Sequence, residues 1–123
     1  MAADDKVVIN QTKDGKDPEA VLTGYLVGVE ALRAGKEALL VHTSDGIMLA
    51  SEGYITEALD IEKAPSTKVL HDEYIERGGK IFVCPVCVKT HNMEDATWIP
   101  AAEVKGVPSL FEFTAGGALV FNY

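Results

Sequence analysis

The chain has 123 residues, with 19 acidic side chains against 11 basic ones and a formal net charge of -8. An acidic surface argues against a nucleic acid or an anionic membrane as the partner, because both attract basic proteins. The hydrophobic fraction of 47% is that of an ordinary globular protein, and the length fits one domain spanning residues 1–123.

Predicted strands and helices alternate along the chain. Five apolar runs read as strands, the last of them as a buried one: residues 6–10, 37–43, 81–83, 101–104 and 118–123. Asp17 and Ser66 are candidate N-caps of two helices, residues 47–50 form a short helix, and residues 108–115 form another. A strand-helix-strand order requires right-handed parallel crossovers, so the predicted fold is α/β, a three-layer α/β/α sandwich with a five-stranded parallel sheet.

The chemistry is predicted where the third strand gives way to a helix. Cys84 follows the strand at 81–83, and Pro85 comes next, a residue favoured at the first position of a helix. Cys84 is therefore placed at the helix N-cap and Cys87 in the first turn. The unpaired N–H groups there stabilise a thiolate, which makes Cys84 the candidate nucleophile and Cys87 the resolving thiol. If the helix begins later, Cys87 becomes the acceptor; if both thiols are buried, they are ordinary core residues.

The same two cysteines bear on the compartment. They are too close together to staple a fold, and residues 1–10 lack the basic and apolar segments of a secretory signal. No apolar run approaches the roughly 20 residues of a membrane span. We therefore expect a cytoplasmic protein, in which a C-x-x-C pair indicates redox or metal chemistry.

Other side chains are predicted at the same edge of the sheet, because ligands bind beyond the carboxyl ends of parallel strands. Thr12, Asp45 and Gly46 follow the first two strands, and Gly46 would let the backbone approach a ligand closely. The alternative for Asp45 and Gly46 is a simple turn. His42, at the end of the second strand, either assists proton transfer or packs inside the protein.

Zinc is the competing interpretation of the cysteine pair. Cys84, Cys87 and His91 are candidate ligands, because His91 lies one turn beyond Cys87. The fourth ligand would be His42 or His71. The usual second ligand pair is missing from the sequence, so no metal or other cofactor is predicted. In the alternative, His91 is a surface residue near a helix C-terminus, and His71 faces outward from its helix.

The chain resembles the DsrE/DsrF-like proteins, a family that includes sulfur-relay subunits and peroxiredoxin-like proteins. Three stretches carry the resemblance: HTSDGIMLA at 42–50, GGKIFVCPVCVKTHNM at 78–93, and a Gly-bounded helix leading into the last strand. The resemblance implies an α/β/α domain, assembly into trimers or hexamers, and in some members a cysteine that carries persulfide sulfur. A sulfur donor or acceptor protein would then be a partner.

Two classes of function follow. The first is a sulfur-handling or thiol-redox protein, a sulfurtransferase or peroxiredoxin-like activity that cycles Cys84 and Cys87 through persulfide, thiol and disulfide. The second is a non-catalytic oligomeric module that binds a small ligand at the same edge. Phe111 and Phe113 also favour a homo-oligomer, because two helical residues two apart cannot both point into one core. Trp98 is expected to cover the site, to lie at a subunit contact or to pack in the core.

Overall fold

A computed structural model describes residues 5–123 and contains one sheet of five parallel strands, in the order β4-β3-β2-β1-β5. The strands are β1 (Lys6–Gln11), β2 (Glu37–His42), β3 (Lys80–Val83), β4 (Ala102–Val104) and β5 (Leu119–Asn122). The helices are α1 (Pro18–Arg33), α2 (Thr67–Glu76), α3 (Pro85–Thr90) and α4 (Val107–Thr114), with 3₁₀ turns at Ser44–Ala50 and Glu57–Leu59. The predicted parallel α/β fold is confirmed. Residues 1–10 were considered as a secretory signal, and the first four of them lie outside the described residues.

The long helices begin and end at the residues that the sequence marks. The Asp17 carboxylate accepts a hydrogen bond from the Ala20 N–H at 3.3 Å, and the Ser66 hydroxyl accepts one from the Val69 N–H at 3.3 Å. Gly35 follows α1 with a φ of 82°, a conformation that glycine adopts without strain. In the described part of the chain, no helix combines the length and apolarity needed to cross a membrane.

Apolar side chains pack on both faces of the sheet, because successive residues of a strand point to opposite sides. The face toward α1 and α2 carries the larger core, whose members include Ile9, Val29, Leu40, Tyr74 and Val83. On the opposite face, Val8, Leu39 and Phe82 pack with Phe113 of α4. Helices on both faces give three layers, and the second face is covered by a helix of only eight residues.

Strand β3 lies inside the sheet, as predicted for residues 81–83. Ile81 is aligned with Leu40 of β2 on one side and with Ala102 of β4 on the other. At the carboxyl end of the strand, the Cys84 N–H donates to the His42 carbonyl at 3.0 Å. The loops that follow β2 and β3 are therefore neighbours, which places the cysteine pair beside the Ser44–Ala50 turn.

The prediction of a buried last strand is wrong. Among the described strands β5 pairs with β1 alone, and all four of its residues are exposed, Val120 to 59%. Its apolar residues favour a β-strand, but the helices of the chain leave this edge of the sheet uncovered. Phe111 of α4 is likewise 68% exposed whereas Phe113 is buried, so the expectation that one of the two leaves the core is confirmed.

The predicted outward position of His71 on α2 is also wrong. His71 was expected to face outward, but it is only 6% exposed, and its Nδ1 lies 2.9 Å from the Tyr25 hydroxyl. Val69 of the same helix is 62% exposed. Thr67, His71 and Tyr74 lie together on the buried face of α2, which packs against α1. Trp98 is half-buried and packs against the larger core. Packing in the core was one of its three predicted positions.

Candidate functional site

The two cysteines lie at the start of α3, where the sequence placed them. Cys84 is the N-cap and Pro85 the first helical residue. The Cys84 Sγ accepts the Cys87 N–H at 3.5 Å, so a donor of the helix start is directed at this sulfur. Both thiols are free and half-buried. The geometry therefore supports the predicted helix start, with Cys87 in the first turn.

A second backbone donor reaches the pair from the loop after β2. The Ser44 N–H donates to the Cys87 Sγ at 3.2 Å. Ser44 has a φ of 53°, in the left-handed region where a residue with a Cβ is strained. This donor was not predicted, because nothing in the sequence marks a serine for the left-handed conformation. Each cysteine sulfur thus accepts one backbone N–H.

The environment of Cys87 sets it apart from its partner. Burial raises the pKa of the Cys87 thiol, the nearby Cys84 sulfur raises it further, and the Ser44 N–H offsets part of the shift. The raised pKa favours the thiol form of Cys87 over its thiolate. It packs against the edge of the larger core, which limits its contact with molecules in solution.

Cys84 lines an apolar pocket on the other side of the sheet, between α3, α4 and the strands. The pocket has a volume of about 180 Å³. Val41, Phe82 and Leu110 of α4 are among the residues that line it. The Lys105 Nζ lies 5.5 Å from the centre of the Phe82 ring, at the same pocket. A small molecule in this pocket would therefore contact Cys84.

Asp45 and His91 lie beside the cysteines, one in each of the two neighbouring loops. The His91 Nδ1 is 3.9 Å from the Asp45 Oδ1, and both residues are exposed. His91 is the C-cap of α3, with its N–H donating to the Cys87 carbonyl at 3.0 Å. This is the helix C-terminal surface position that the sequence offered as its alternative.

Gly46 and Thr12 make close contacts within the chain itself. A Cβ on Gly46 would lie 2.1 Å from the Gln11 carbonyl oxygen, so the space at this glycine is filled by β1. Thr12 donates from its N–H and its hydroxyl to the Tyr123 carbonyl, at 2.7 and 2.9 Å. Glycine is needed at position 46 for a close approach between two segments of the same chain, and sequence alone cannot name the approaching group.

His42 does not reach the cysteine pocket either. It is 0% exposed, on the sheet face toward α1 and α2, and neither ring nitrogen has a hydrogen-bond partner among the described residues. Burial lowers the pKa of His42 to about 3, with His71 contributing in the same direction. The packed alternative for this residue is the one found, and a proton-transfer role has no geometric support.

The zinc ligands are not assembled. Within residues 5–123, no three or more His, Cys, Asp or Glu side chains are grouped so that they could hold a metal ion. The two fourth-ligand candidates, His42 and His71, lie in the core. The helical spacing of Cys84, Cys87 and His91 suggested a metal site, but His91 turns toward Asp45.

Two solved structures have the same fold. The crystal structure of the YchN protein from E. coli matches with a TM-score of 0.76 and 13% identity, covering 100% of both chains. The structure of BT1422, a conserved protein of unknown function from Bacteroides thetaiotaomicron, matches with a TM-score of 0.62 and 18% identity, covering 100% of this chain and 98% of that one. Comparisons with protein-family models and with curated proteins each found no match. At these identities the likeness shows the fold alone, and it fits the DsrE-like fold that the sequence resembles.

Proposed function

We propose that this protein handles sulfane sulfur through Cys84 and Cys87, by persulfide transfer or by thiol redox. The observation that carries the proposal is the pair itself: two free thiols at one helix start, each accepting a backbone N–H. Neither thiol forms a structural disulfide, and Cys84 lines a pocket. The resemblance to the DsrE/DsrF-like proteins supports the same chemistry.

Loading begins at Cys84. Its thiolate attacks the terminal sulfur of a donor persulfide, R–S–SH, and forms a bond between Cys84 Sγ and that sulfur. The bond between the two donor sulfurs breaks, the thiolate R–S⁻ leaves, and Cys84 holds a persulfide, –S–SH. No oxidant or reductant is consumed, because one sulfur atom moves between two thiols.

Release has two routes. In the first, an acceptor thiolate takes the outer sulfur and Cys84 returns as a thiolate. In the second, the Cys87 thiol gives its proton to water and the resulting thiolate attacks Cys84 Sγ, so that a Cys84–Cys87 disulfide forms and hydrosulfide, HS⁻, leaves. The second route oxidises the pair by two electrons, and a dithiol reductant must restore it.

The test is persulfide loading with inorganic polysulfide, followed by mass mapping of the added sulfur. We expect Cys84→Ser to abolish loading and to remove rapid alkylation at neutral pH. We expect Cys87→Ser to load as before and to release sulfide more slowly. If only Cys87→Ser loses loading, the two roles are reversed. If neither substitution changes loading, the thiol proposal is wrong and the ligand-binding module takes its place.

We also propose that the chain forms a homo-oligomer, a trimer or hexamer, through the edge strand β5. Leu119, Val120 and Phe121 of this strand are exposed, as is Phe111 of α4. An exposed apolar edge strand invites pairing with another chain, and contiguous apolar surface of this kind marks an interaction site. Light scattering at micromolar concentration tests the assembly, and a monomer would contradict it.

A further inference from the structure

The pocket at Cys84 is more restrictive than a general site for sulfur donors. We infer that it selects a low-molecular-weight persulfide whose organic part is a short apolar group with an anionic end. This inference rests on the proposed function and deepens it, because it names the class of donor. It stands on the volume, lining and charge of the pocket beside the reacting sulfur.

The volume limits the organic group to one ring or a short alkyl chain. The pocket measures about 180 Å³, and an apolar protein cavity of about 150 Å³ holds a benzene molecule. A whole peptide is larger than this space, and any amide groups enclosed there would lose their hydrogen bonds to water. A compact apolar group fits this space without that loss.

The lining favours an apolar group over a polar one. Val41, Phe82 and Leu110 contribute only hydrocarbon surface, as do Pro85 and Val107. The Thr43 hydroxyl, the one neutral hydroxyl among the described lining residues, already donates to the Asn10 side chain at 3.0 Å. A polar donor would therefore be desolvated without new partners, whereas an apolar donor gains by leaving water.

Lys105 supplies the charge that recognises an anionic end. Among the described lining residues it is the one with a charged side chain, and it is exposed at the pocket. Its Nζ pairs with the Glu103 Oε2 at 3.1 Å. Exposed pairs of this kind are weak, so a ligand carboxylate can compete for the ammonium group. In a chain with a net charge of -8, this lysine gives an approaching anion a local attraction.

Gly106 offers a way to fill the pocket without straining the backbone. Its φ is -92°, and a Cβ built there lies 3.7 Å from Pro108 Cδ and 3.9 Å from Pro85 Cγ, both ordinary contact distances. Pro85 lines the pocket beside Cys84, so the Gly106→Leu side chain extends into the same space. Val69→Leu is the matched control, because Val69 is exposed on α2 and away from the pocket.

The experiment compares two donors on the same protein. One is para-carboxybenzyl hydropersulfide, and the other is thioglycerol hydropersulfide, which is smaller, polar and uncharged. We expect wild-type Cys84 to load about tenfold faster from the carboxybenzyl donor at subsaturating concentration, a difference of about 1.4 kcal/mol. Gly106→Leu should bring the ratio of the two rates close to one, Lys105→Met should lower it, and Val69→Leu should keep it. A ratio within each protein cancels any change in the intrinsic reactivity of Cys84.

The outcomes separate the two proposals. Equal rates in the wild type, or an undiminished preference in a folded Gly106→Leu, would overturn the inference and leave the sulfur chemistry intact. Failure of Cys84 to load from either donor and from inorganic polysulfide would overturn the proposed function. A second measurement needs no variant: unreactive para-toluate should slow alkylation of wild-type Cys84 and leave Cys87 unaffected. Absence of protection at millimolar para-toluate would also count against the inference.

Discussion

Two buried histidines set how the stability of this protein responds to acid. Burial lowers the pKa of His42 to about 3 and that of His71 to about 4. In the unfolded chain each has an ordinary pKa near 6.5. Below pH 6.5 the histidines bind protons in the unfolded state but not in the folded state. The folded state therefore has its full stability above pH 6.5, and it loses stability as the pH falls toward the pKa values of the folded state.

We therefore expect the free energy of unfolding to fall by about 1.4 kcal/mol per pH unit for each histidine between pH 6.5 and about 4. Urea unfolding at a series of pH values measures this slope. His42→Leu should reduce it and should cost little stability at pH 7, because it removes two ring nitrogens that lack partners in the described structure. His91→Asn, at an exposed position, is the control and should keep the slope. An unchanged slope in His42→Leu would show that His42 titrates normally.

Single residues also mark the limit of what the sequence predicts at the site. Cys84 and Pro85 predict a helix start from two neighbouring residues, and the structure confirms that start. The Ser44 N–H at the Cys87 sulfur was not foreseen, because it depends on a left-handed serine held by the surrounding fold. Nor was the pocket, since α4 approaches Cys84 from more than twenty residues further along the chain.

At the scale of elements, the packing of the Ser44–Ala50 turn against the end of β1 decides where the turn lies. Gly46 is the contact point, because any Cβ there collides with the Gln11 carbonyl at 2.1 Å. A backbone group cannot rotate away as a side chain does. We expect Gly46→Ala to lower the free energy of unfolding by about 3 kcal/mol, the upper range for overpacking.

The control for this prediction is Gly53→Ala. Gly53 has a φ of 78° and no neighbouring atom within 4 Å of a built Cβ, so alanine there carries only the conformational cost of about 1 kcal/mol. Chemical denaturation compares the two. Gly46→Ala should also change the alkylation rate of Cys87, since the turn delivers the Ser44 N–H. Equal destabilisation by the two substitutions would mean that the turn shifts freely on β1.

Elements were predicted well where the signal is local and poorly where it depends on a neighbour. Asp17 and Ser66 start their helices because a cap bonds within its own first turn. The outward position of His71 was wrong because the packing of α1 on α2 decides which residues of this helix are buried. Strand β5 was predicted as buried because its sequence is apolar. An apolar sequence does not show whether the covering residues belong to the same chain or to another copy.

At the scale of the whole molecule, the sheet separates the sulfur chemistry from the proposed assembly surface. The cysteine pair follows β3, whereas the exposed apolar strand is β5, and β2 and β1 lie between them. Neighbouring strands are about 4.8 Å apart, which puts about 14 Å of sheet between the two surfaces. Pairing through β5 alone therefore does not cover Cys84, although Phe111 of the assembly surface is next to the pocket residue Leu110 on α4.

This separation makes the assembly testable without disturbing the chemistry. Val120→Lys places a charge in the middle of the proposed contact, where burying an unpaired ammonium group is costly, so we expect light scattering to show a monomer. Val69→Lys adds the same charge to an exposed site on α2 and should keep the oligomer. Persulfide loading of Cys84 should persist in the Val120→Lys monomer. An oligomer that survives Val120→Lys would place the contact elsewhere, and a monomer that no longer loads sulfur would show that a second copy completes the site.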